Sequence, residues 1–494
     1  MTNSNQPRVA IAGAGMSGLC MAMQLRRAGI DSFVIYEKAA GVGGTWAENT
    51  YPNAGCDVPS FLYSYSFEPN PNWSQKFARQ PEILKYFKAC ADKYDIPSRT
   101  RFNTAIEEAR YDETSRKWII KASDGTSEEY DYFVSGVGQL SRPSTPTFDG
   151  AEDFEGTRFH SAQWDHNFDA TGKNIVVIGA GASAIQFIAE IAEKAKRMTL
   201  IQRSPNWIAP LKNYRYPAWA TSLFNNVPLA EKLHRLWIYT VSESRFVAFR
   251  KGEPATWIYT NWLKFKLKLR LKEPMRSKLM PDYPAGCKRI LLSSDFYDTL
   301  ERDNVDLVTD SINRFTPSGV ETTPGQIDAD AIIYATGFQT SNLLTPMEVV
   351  GRGGNRLADV WQQNPGAYLG MMSPGFPNFF VLYGPNTNLG HNSIIYMVEC
   401  QVNYILQCMK LAKKKNAGSI EVRPEASNSF REMVQRRLKN TVWNSNCTSW
   451  YKTGDGVMVN NWCGPTLEYR WRTRRPKADD LIFEPAATPQ PVST

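Results

Sequence analysis

The sequence predicts an α/β fold of two Rossmann-like dinucleotide-binding domains, one inserted in the other, with a helical insertion. Two glycine turns, each followed by a charge at a fixed distance, carry that prediction. The first is Gly13-Ala-Gly15-Met-Ser-Gly18 with Glu37 downstream; the second is Gly179-Ala-Gly181-Ala-Ser-Ala184 with Arg203 downstream. In both, the charged residue lies 24 positions after the first glycine. Such a turn lets the backbone approach a pyrophosphate closely and rest it on a helix N-terminus. A carboxylate ending the next strand accepts from both ribose hydroxyls and repels a 2′-phosphate, whereas a guanidinium attracts one. Glu37 therefore points to FAD and Arg203 to NADPH, and a chain that holds both is a flavin redox enzyme.

Each element around these turns has its own signal. Arg8-Val-Ala-Ile-Ala12 is a short apolar run into Gly13, 17–28 has helical spacing, and Ser32-Phe-Val-Ile-Tyr36 is the second strand, ending at Glu37. Tyr132-Phe-Val-Ser-Gly136-Val-Gly138 is a strand running into a glycine turn, and Ser141-Arg-Pro143-Ser-Thr-Pro146 is a stiff linker. Asn174-Ile-Val-Val-Ile178 precedes Gly179, 185–195 is helical, and Met198-Thr-Leu-Ile-Gln202 leads to Arg203. From about 211 to 284 the pattern turns helical and aromatic, with Trp219, Trp237, Trp257 and Trp262. Strands resume at Val305-Asp-Leu-Val308 and Ala331-Ile-Ile-Tyr-Ala335; Asn378-Phe-Phe-Val-Leu-Tyr383 and a helix from about 393 return to the first unit. The expected domains are 1–143 for FAD, 144–210 with 285–340 for NADPH, 211–284 as the helical insertion, and 341–494 as the return of the FAD domain.

Within the insertion, residues 262–272 alternate apolar and basic side chains. Period two reads as a strand, but the helix formers and helical surroundings favour a helix. It is expected to pack on the body with its lysines snorkelling to solvent; the alternative is a helix on a membrane surface.

At 494 residues, 42% hydrophobic and 21% charged, the composition is that of a soluble globular protein of two or three domains. The net charge of +8 is spread among acidic residues, so a basic dinucleotide site explains it without nucleic acid. No apolar run reaches membrane-spanning length, and Thr2-Asn-Ser-Asn-Gln6 is no signal peptide, so a cytoplasmic location is expected. The eight cysteines are scattered without C-x-x-C, which predicts reduced thiols and argues against a flavin disulfide reductase. The four histidines are too dispersed to suggest a metal site.

Between the glycine turns, Phe154-Glu-Gly156-Thr-Arg-Phe-His160-Ser-Ala-Gln-Trp164-Asp165 matches the spacing F-x-G-x3-H-x3-W followed by Pro or Asp. In this the chain resembles the Baeyer–Villiger monooxygenases; their N- and S-oxidising relatives usually carry Tyr or Phe where Trp164 stands. Gly44, Trp46, Tyr51, Pro52 and Asp57 resemble the family's second signature. The departure is Asn53, where Gly or Met is usual, but Asn tolerates a positive φ. The resemblance runs from Arg8 to about Arg475. It implies conversion of ketones to esters or lactones with O2 through a flavin C4a-peroxide, with no redox partner protein, by a monomer or weak oligomer.

By that resemblance Ser17, Glu37, Thr45, Trp46, Tyr63 and Ile106 contact the flavin dinucleotide beside Gly13, Gly15 and Gly18. Gly179, Gly181, Ala182, Ser183, Ala184, Gln186, Gln202, Arg203 and Lys288 hold NADPH. Phe154, Gly156, His160, Trp164 and Asp165 couple the domains. Arg289 lies over the flavin and pairs with Asp57, these two being the catalytic candidates. A guanidinium stays cationic at any working pH, so it stabilises an anionic peroxide and the oxyanion adduct. Asp57 orients it and offsets the burial of its charge. Two rivals stand beside this reading: a sulfide- or amine-oxidising monooxygenase, and a flavoprotein without turnover, which has no need of a hydride-donor site. The loop Gly384-Pro-Asn-Thr-Asn-Leu-Gly-His391-Asn-Ser393 enters a helix N-terminus suited to the charge of reduced flavin, with His391 expected as a cap. The regions 384–400 and 462–475 look nearer to enzymes acting on aryl and open-chain ketones than to the cyclohexanone type.

Overall fold

The computed structural model describes residues 6–339, 343–363, 366–447, 449–453 and 456–486. Two five-stranded parallel sheets position everything else. The first runs in the order Phe379–Val381, Tyr132–Ser135, Val9–Ala12, Phe33–Tyr36, Thr100–Arg101. The second runs Val305–Val308, Arg197–Ile201, Asn174–Ile178, Ala331–Tyr334, Thr157–His160. Val9–Ala12 is buried along its whole length and Asn174–Ile178 from its second residue on, as parallel strands covered on both faces must be. In each sheet the central strand is followed by a helix, Met16–Arg27 or Ala184–Lys194, that crosses over to the neighbour on one side. The neighbour on the other side comes later in the chain. Strand order therefore reverses just beyond Ala12 and Ile178, where open α/β sheets bind ligands.

The chain leaves the first sheet after Ser135, builds the second from Thr157 to Tyr334, and returns to the first with Phe379–Val381. Between the second-sheet strands Arg197–Ile201 and Val305–Val308 come the helices Ala218–Asn226, Pro228–Ser244, Pro254–Arg270 and Met275–Leu279. The short parallel pair Ile208–Ala209 and Leu291–Leu292 closes the base of this segment. Antiparallel units that the sequence reading did not resolve are Ile106–Asp112, Lys117–Ala122 and Ser127–Tyr130, which Glu348–Val350 extends as a parallel edge, and the hairpins across 312–328.

The basic, alternating stretch is helical from 262 to Arg270, as its helix formers require, and its last two residues lie beyond the helix end. It packs on the body with lysines reaching solvent, as expected, but it also leaves an apolar face outward. Leu263 and Leu267 are buried, while Trp262, Phe265 and Leu269 are exposed. Residues 262, 265 and 269 lie on the side of the helix opposite 263 and 267, so the packing that buries the two leucines leaves them outward. No helix of the described residues is long and apolar enough to cross a membrane.

Candidate active site

The first glycine turn is shaped by close backbone packing. Gly13 has φ +92°, and a Cβ on Gly18 would overlap the carbonyl oxygen of Gly13. Gly15 differs: the nearest atom to its would-be Cβ is Gly44 Cα at 3.5 Å, and Gly15 borders a cavity of about 410 Å³. The helix Met16–Arg27 starts there with no side chain capping it, and Met16 and Ser17 line the same cavity. Its first N–H groups thus have no side-chain acceptor, the arrangement that receives a pyrophosphate. Glu37 is buried at the end of the second strand and accepts from the N–H groups of Ala14 at 2.6 Å and Ala39 at 2.9 Å. Burial raises its pKa against those two bonds. Thr45, Trp46, Tyr63 and Ile106 also line the cavity, with Trp46 Nε1 donating to the Tyr63 hydroxyl at 3.1 Å.

Asp57 and Arg289 meet at the cavity wall. Arg289 Nη2 lies 2.6 Å from both carboxylate oxygens of Asp57, and Nε lies 3.1 Å from Oδ2. The Asp57 charge, opposed by desolvation, raises the guanidinium pKa, so the group stays cationic. Tyr383 and Tyr451 lie close enough for their hydroxyls to feel that charge, although burial dominates and pushes Tyr451 up to about 12. The Asp57 loop is held by the helix Ala184–Lys194 that follows the second glycine turn. Gly55 N donates to Gln186 Oε1 at 3.1 Å, and Gln186 Nε2 donates to Gly55 O at 3.2 Å. Asn53 sits at φ +60°, a turn that Asn accepts. Gln186, expected at the nicotinamide, thus spends its amide on the backbone two residues before Asp57, while still bordering the cavity with Ala182 and Ser183.

The second turn repeats the first with one change. Gly179 has φ +102°, and Gly181 has only Ala335 O near its would-be Cβ, at 3.9 Å. Ala184, at the third position, is fully buried. Arg203 is exposed beyond the strand end, and Lys288 Nζ donates to Ser204 Oγ at 2.8 Å. Burial and then the nearby Arg203 charge lower the Lys288 pKa, so the two cations crowd one spot where an anion would relieve both. Gln202 is buried beside them, and its Nε2 has no partner among the described residues. Gln202, Arg203 and Lys288 do not border the 410 Å³ cavity. An uncapped helix start, an open Gly15 and a buried Glu37 fit a dinucleotide with free ribose hydroxyls, and the Arg203–Lys288 cluster fits a 2′-phosphate.

The 154–165 segment lies outside the cavity lining. Phe154 packs so tightly on Gly156 that a Cβ there would meet its ring and the Asp330 carbonyl. His160 is buried; its Nδ1 accepts from Ala162 N at 3.1 Å, its Nε2 has no hydrogen-bond partner among the described residues, and burial lowers its pKa. Trp164 packs at a tilt against Phe187, ring centroids 5.2 Å apart, and Phe187 meets Tyr51 edge-on at 6.0 Å. Asp165 accepts from Asn167 N at 2.9 Å, and His166 Nε2 lies 2.8 Å from Thr50 Oγ1. The segment therefore reaches the Asp57 loop through aromatic rings, with one hydrogen bond from His166 just beyond it, and does not border the cavity itself.

Two expectations fail. His391 caps no helix: Ile394–Lys414 has no side-chain cap, and the imidazole is buried against Phe246, with Nε2 3.5 Å from Glu243. Cys287 and Cys447 form a disulfide, because the fold lays the segment before Arg289 against residues 442–447, which no local spacing reveals. Cys20, Cys56, Cys90, Cys400, Cys408 and Cys463 are free. Cys287 is fully buried and outside the cavity lining, so this pair does not face the flavin position. Tyr51, from the second signature, lines the cavity, and so do Tyr383 and Asn388, to which the sequence assigned no site role. Tyr383 follows the strand Phe379–Val381 at the reversal end of the first sheet, a position that was open to reading from the return segment.

A family model described as pyridine nucleotide-disulphide oxidoreductase matches residues 10–234. The chain is 41% identical over 472 residues to a Baeyer-Villiger monooxygenase of Pseudomonas aeruginosa, covering 95% of this chain and 90% of that protein. It is 39% identical over 484 residues to a Baeyer-Villiger monooxygenase of Streptomyces coelicolor, covering 97% and 93%. Among solved structures it is similar to OTEMO in complex with FAD and NADP, with a TM-score of 0.88 and 28% identity over 97% of this chain and 100% of that one.

Proposed function

The chain belongs to the Baeyer–Villiger monooxygenase family, and from that premise we propose that it oxidises ketones to esters or lactones with FAD, NADPH and O2. The bidentate Asp57–Arg289 pair, set in the wall of the cavity that Gly15 and Glu37 border, carries this reading. When bound, FAD and NADPH supply the redox chemistry: NADPH gives a hydride, and the reduced flavin activates O2. Glu37, with Ala14 and Ala39 on its oxygens, selects free ribose hydroxyls. The N–H groups at Met16 and Ser17 take the pyrophosphate, while Arg203 and Lys288 neutralise a 2′-phosphate. Arg289 holds positive charge at the cavity wall, where it stabilises negative charge developing on oxygen. Asp57 fixes the plane of that guanidinium, and Gln186 fixes the loop that carries Asp57.

We assign residues 1–143 and 341–494 to the FAD domain, 144–210 and 285–340 to the NADPH domain, and 211–284 to the helical insertion. The return of Phe379–Val381 to the first sheet supports the assignment. Both glycine turns lie in one chain, so no separate reductase is needed, and we assign the enzyme to the cytosol as a monomer or weak oligomer. Aryl and open-chain ketones are the assigned substrate class. The test is product analysis under 18O2 with aryl, linear and cyclic ketones and a sulfide. Ester carrying one labelled oxygen is expected, and Arg289→Ala should retain flavin yet form no ester. Sulfoxide as the sole product of wild type would overturn the reading in favour of heteroatom oxidation.

A further inference from the structure

The helix Pro254–Arg270 has two apolar faces, and only one is used by the fold. Thr256, Leu263 and Leu267 face inward and are buried. At about 100° per residue, Ile258, Trp262, Phe265 and Leu269 form a stripe on the opposite side, and they are 58%, 41%, 57% and 68% exposed. Lys264 and Lys268 flank that stripe on one edge, Lys266 and Arg270 on the other. Arg270 is paired with Asp298 and Glu301. The three lysines make no ion pair among the described residues, and Lys266 Nζ sits 6.0 Å from the Trp262 ring. No Asp or Glu occurs from Pro254 to Lys272. The neighbouring helix Pro228–Ser244 repeats the pattern, with Glu231, Ile238 and Ser242 inward and Leu233, Leu236 and Trp237 exposed.

We propose that the outward face of Pro254–Arg270 docks on an anionic lipid bilayer surface. Soluble proteins seldom leave large contiguous apolar patches exposed without a binding role. An apolar stripe edged on both sides by lysines is the pattern of a helix lying in the interface plane, with its aromatic and leucine side chains among the acyl chains and its ammonium groups at the headgroups. Charge decides between occupants. A second copy meeting this face across a two-fold axis would set lysines against lysines, whereas an anionic leaflet attracts each of them. The helix itself carries no acidic or amide side chain between Trp262 and Lys272 to fix a partner protein's register, and the carboxylates of Asp298 and Glu301 at its edge are paired with Arg270.

The test is co-sedimentation of the purified full chain with vesicles of phosphatidylcholine alone and with about one-third phosphatidylglycerol. Wild type should bind the anionic vesicles, bind neutral ones weakly, and be released by high salt. Lys264→Glu/Lys266→Glu/Lys268→Glu should weaken anionic binding by at least about tenfold. Trp262→Ser/Phe265→Ser/Leu269→Ser should abolish binding to both vesicle types. Both variants should keep wild-type NADPH oxidation with a water-soluble ketone, which establishes that they fold; Lys→Gln replaces Lys→Glu if the latter does not. Wild type failing to bind anionic vesicles, or variants binding as wild type does, overturns the proposal. So does light scattering that shows a wild-type dimer split by the Trp262/Phe265/Leu269 variant, because the face is then a contact between copies.

Discussion

Glu243→Gln tests a buried tether whose strength can be worked from its surroundings. The carboxylate ends the helix Pro228–Ser244 and accepts from Asn392 Nδ2 at 2.7 Å, Thr466 Oγ1 at 2.7 Å and Leu467 N at 3.1 Å. His391 Nε2 lies at 3.5 Å, the outer limit for a hydrogen bond. The side chain is only 16% exposed. Burial alone would raise its pKa, but the four donors outweigh it and hold the carboxyl at about 2, against 4.5 unperturbed. That gap corresponds to roughly 3 kcal/mol favouring the charged form. The folded pKa lies below the unfolded one, so the stabilisation is complete above pH 4.5 and is lost as the pH falls toward 2. Glutamine keeps the shape, removes the charge, and turns an amide NH2 toward groups that now donate. Urea unfolding of wild type and variant should show the variant less stable by about 2–3 kcal/mol at pH 7, with the gap shrunk by half or more at pH 3. A gap that is absent at pH 7, or constant over that range, would refute the assignment of these donors as the cause.

Arg203→Ala should raise the NADPH KM by about 10- to 100-fold, the worth of a charge-assisted phosphate contact, and leave NADH turnover nearly unchanged; equal wild-type use of both coenzymes would remove Arg203 from coenzyme selection. Gly18→Ala should lower the thermal midpoint, because its Cβ overlaps the Gly13 carbonyl, whereas Gly15→Ala should fold normally and purify with less flavin. Flavin content identical to wild type in Gly15→Ala would exclude that glycine as the pyrophosphate approach. Thiol titration of unfolded, unreduced protein should find six free cysteines, and Cys447→Ser should cost about 2–4 kcal/mol of stability; eight titratable thiols would show that Cys287 and Cys447 are not bonded.

The two glycine turns, their strands and the charges at Glu37 and Arg203 were legible in the sequence because each is a local device. A positive φ at Gly13, a helix starting at Met16 and a strand ending before Glu37 are constraints satisfied within about one βαβ unit, so residue type and spacing suffice to read them. The helical state of the stretch from 262 was legible in the same way, through propensity rather than period. Its second face was not, since periodicity places Trp262 and Phe265 on a side of the helix but says nothing of what covers that side. Asp57 and Arg289 stand 232 residues apart, Cys287 and Cys447 160 apart, and Glu243 finds Thr466 across 223. Family resemblance could name the first pair; only the tertiary structure could bring together all three. Such contacts depend on where whole sheets and helices pack, and packing is set by the sum of many weak, non-directional burials rather than by any local signal in the chain.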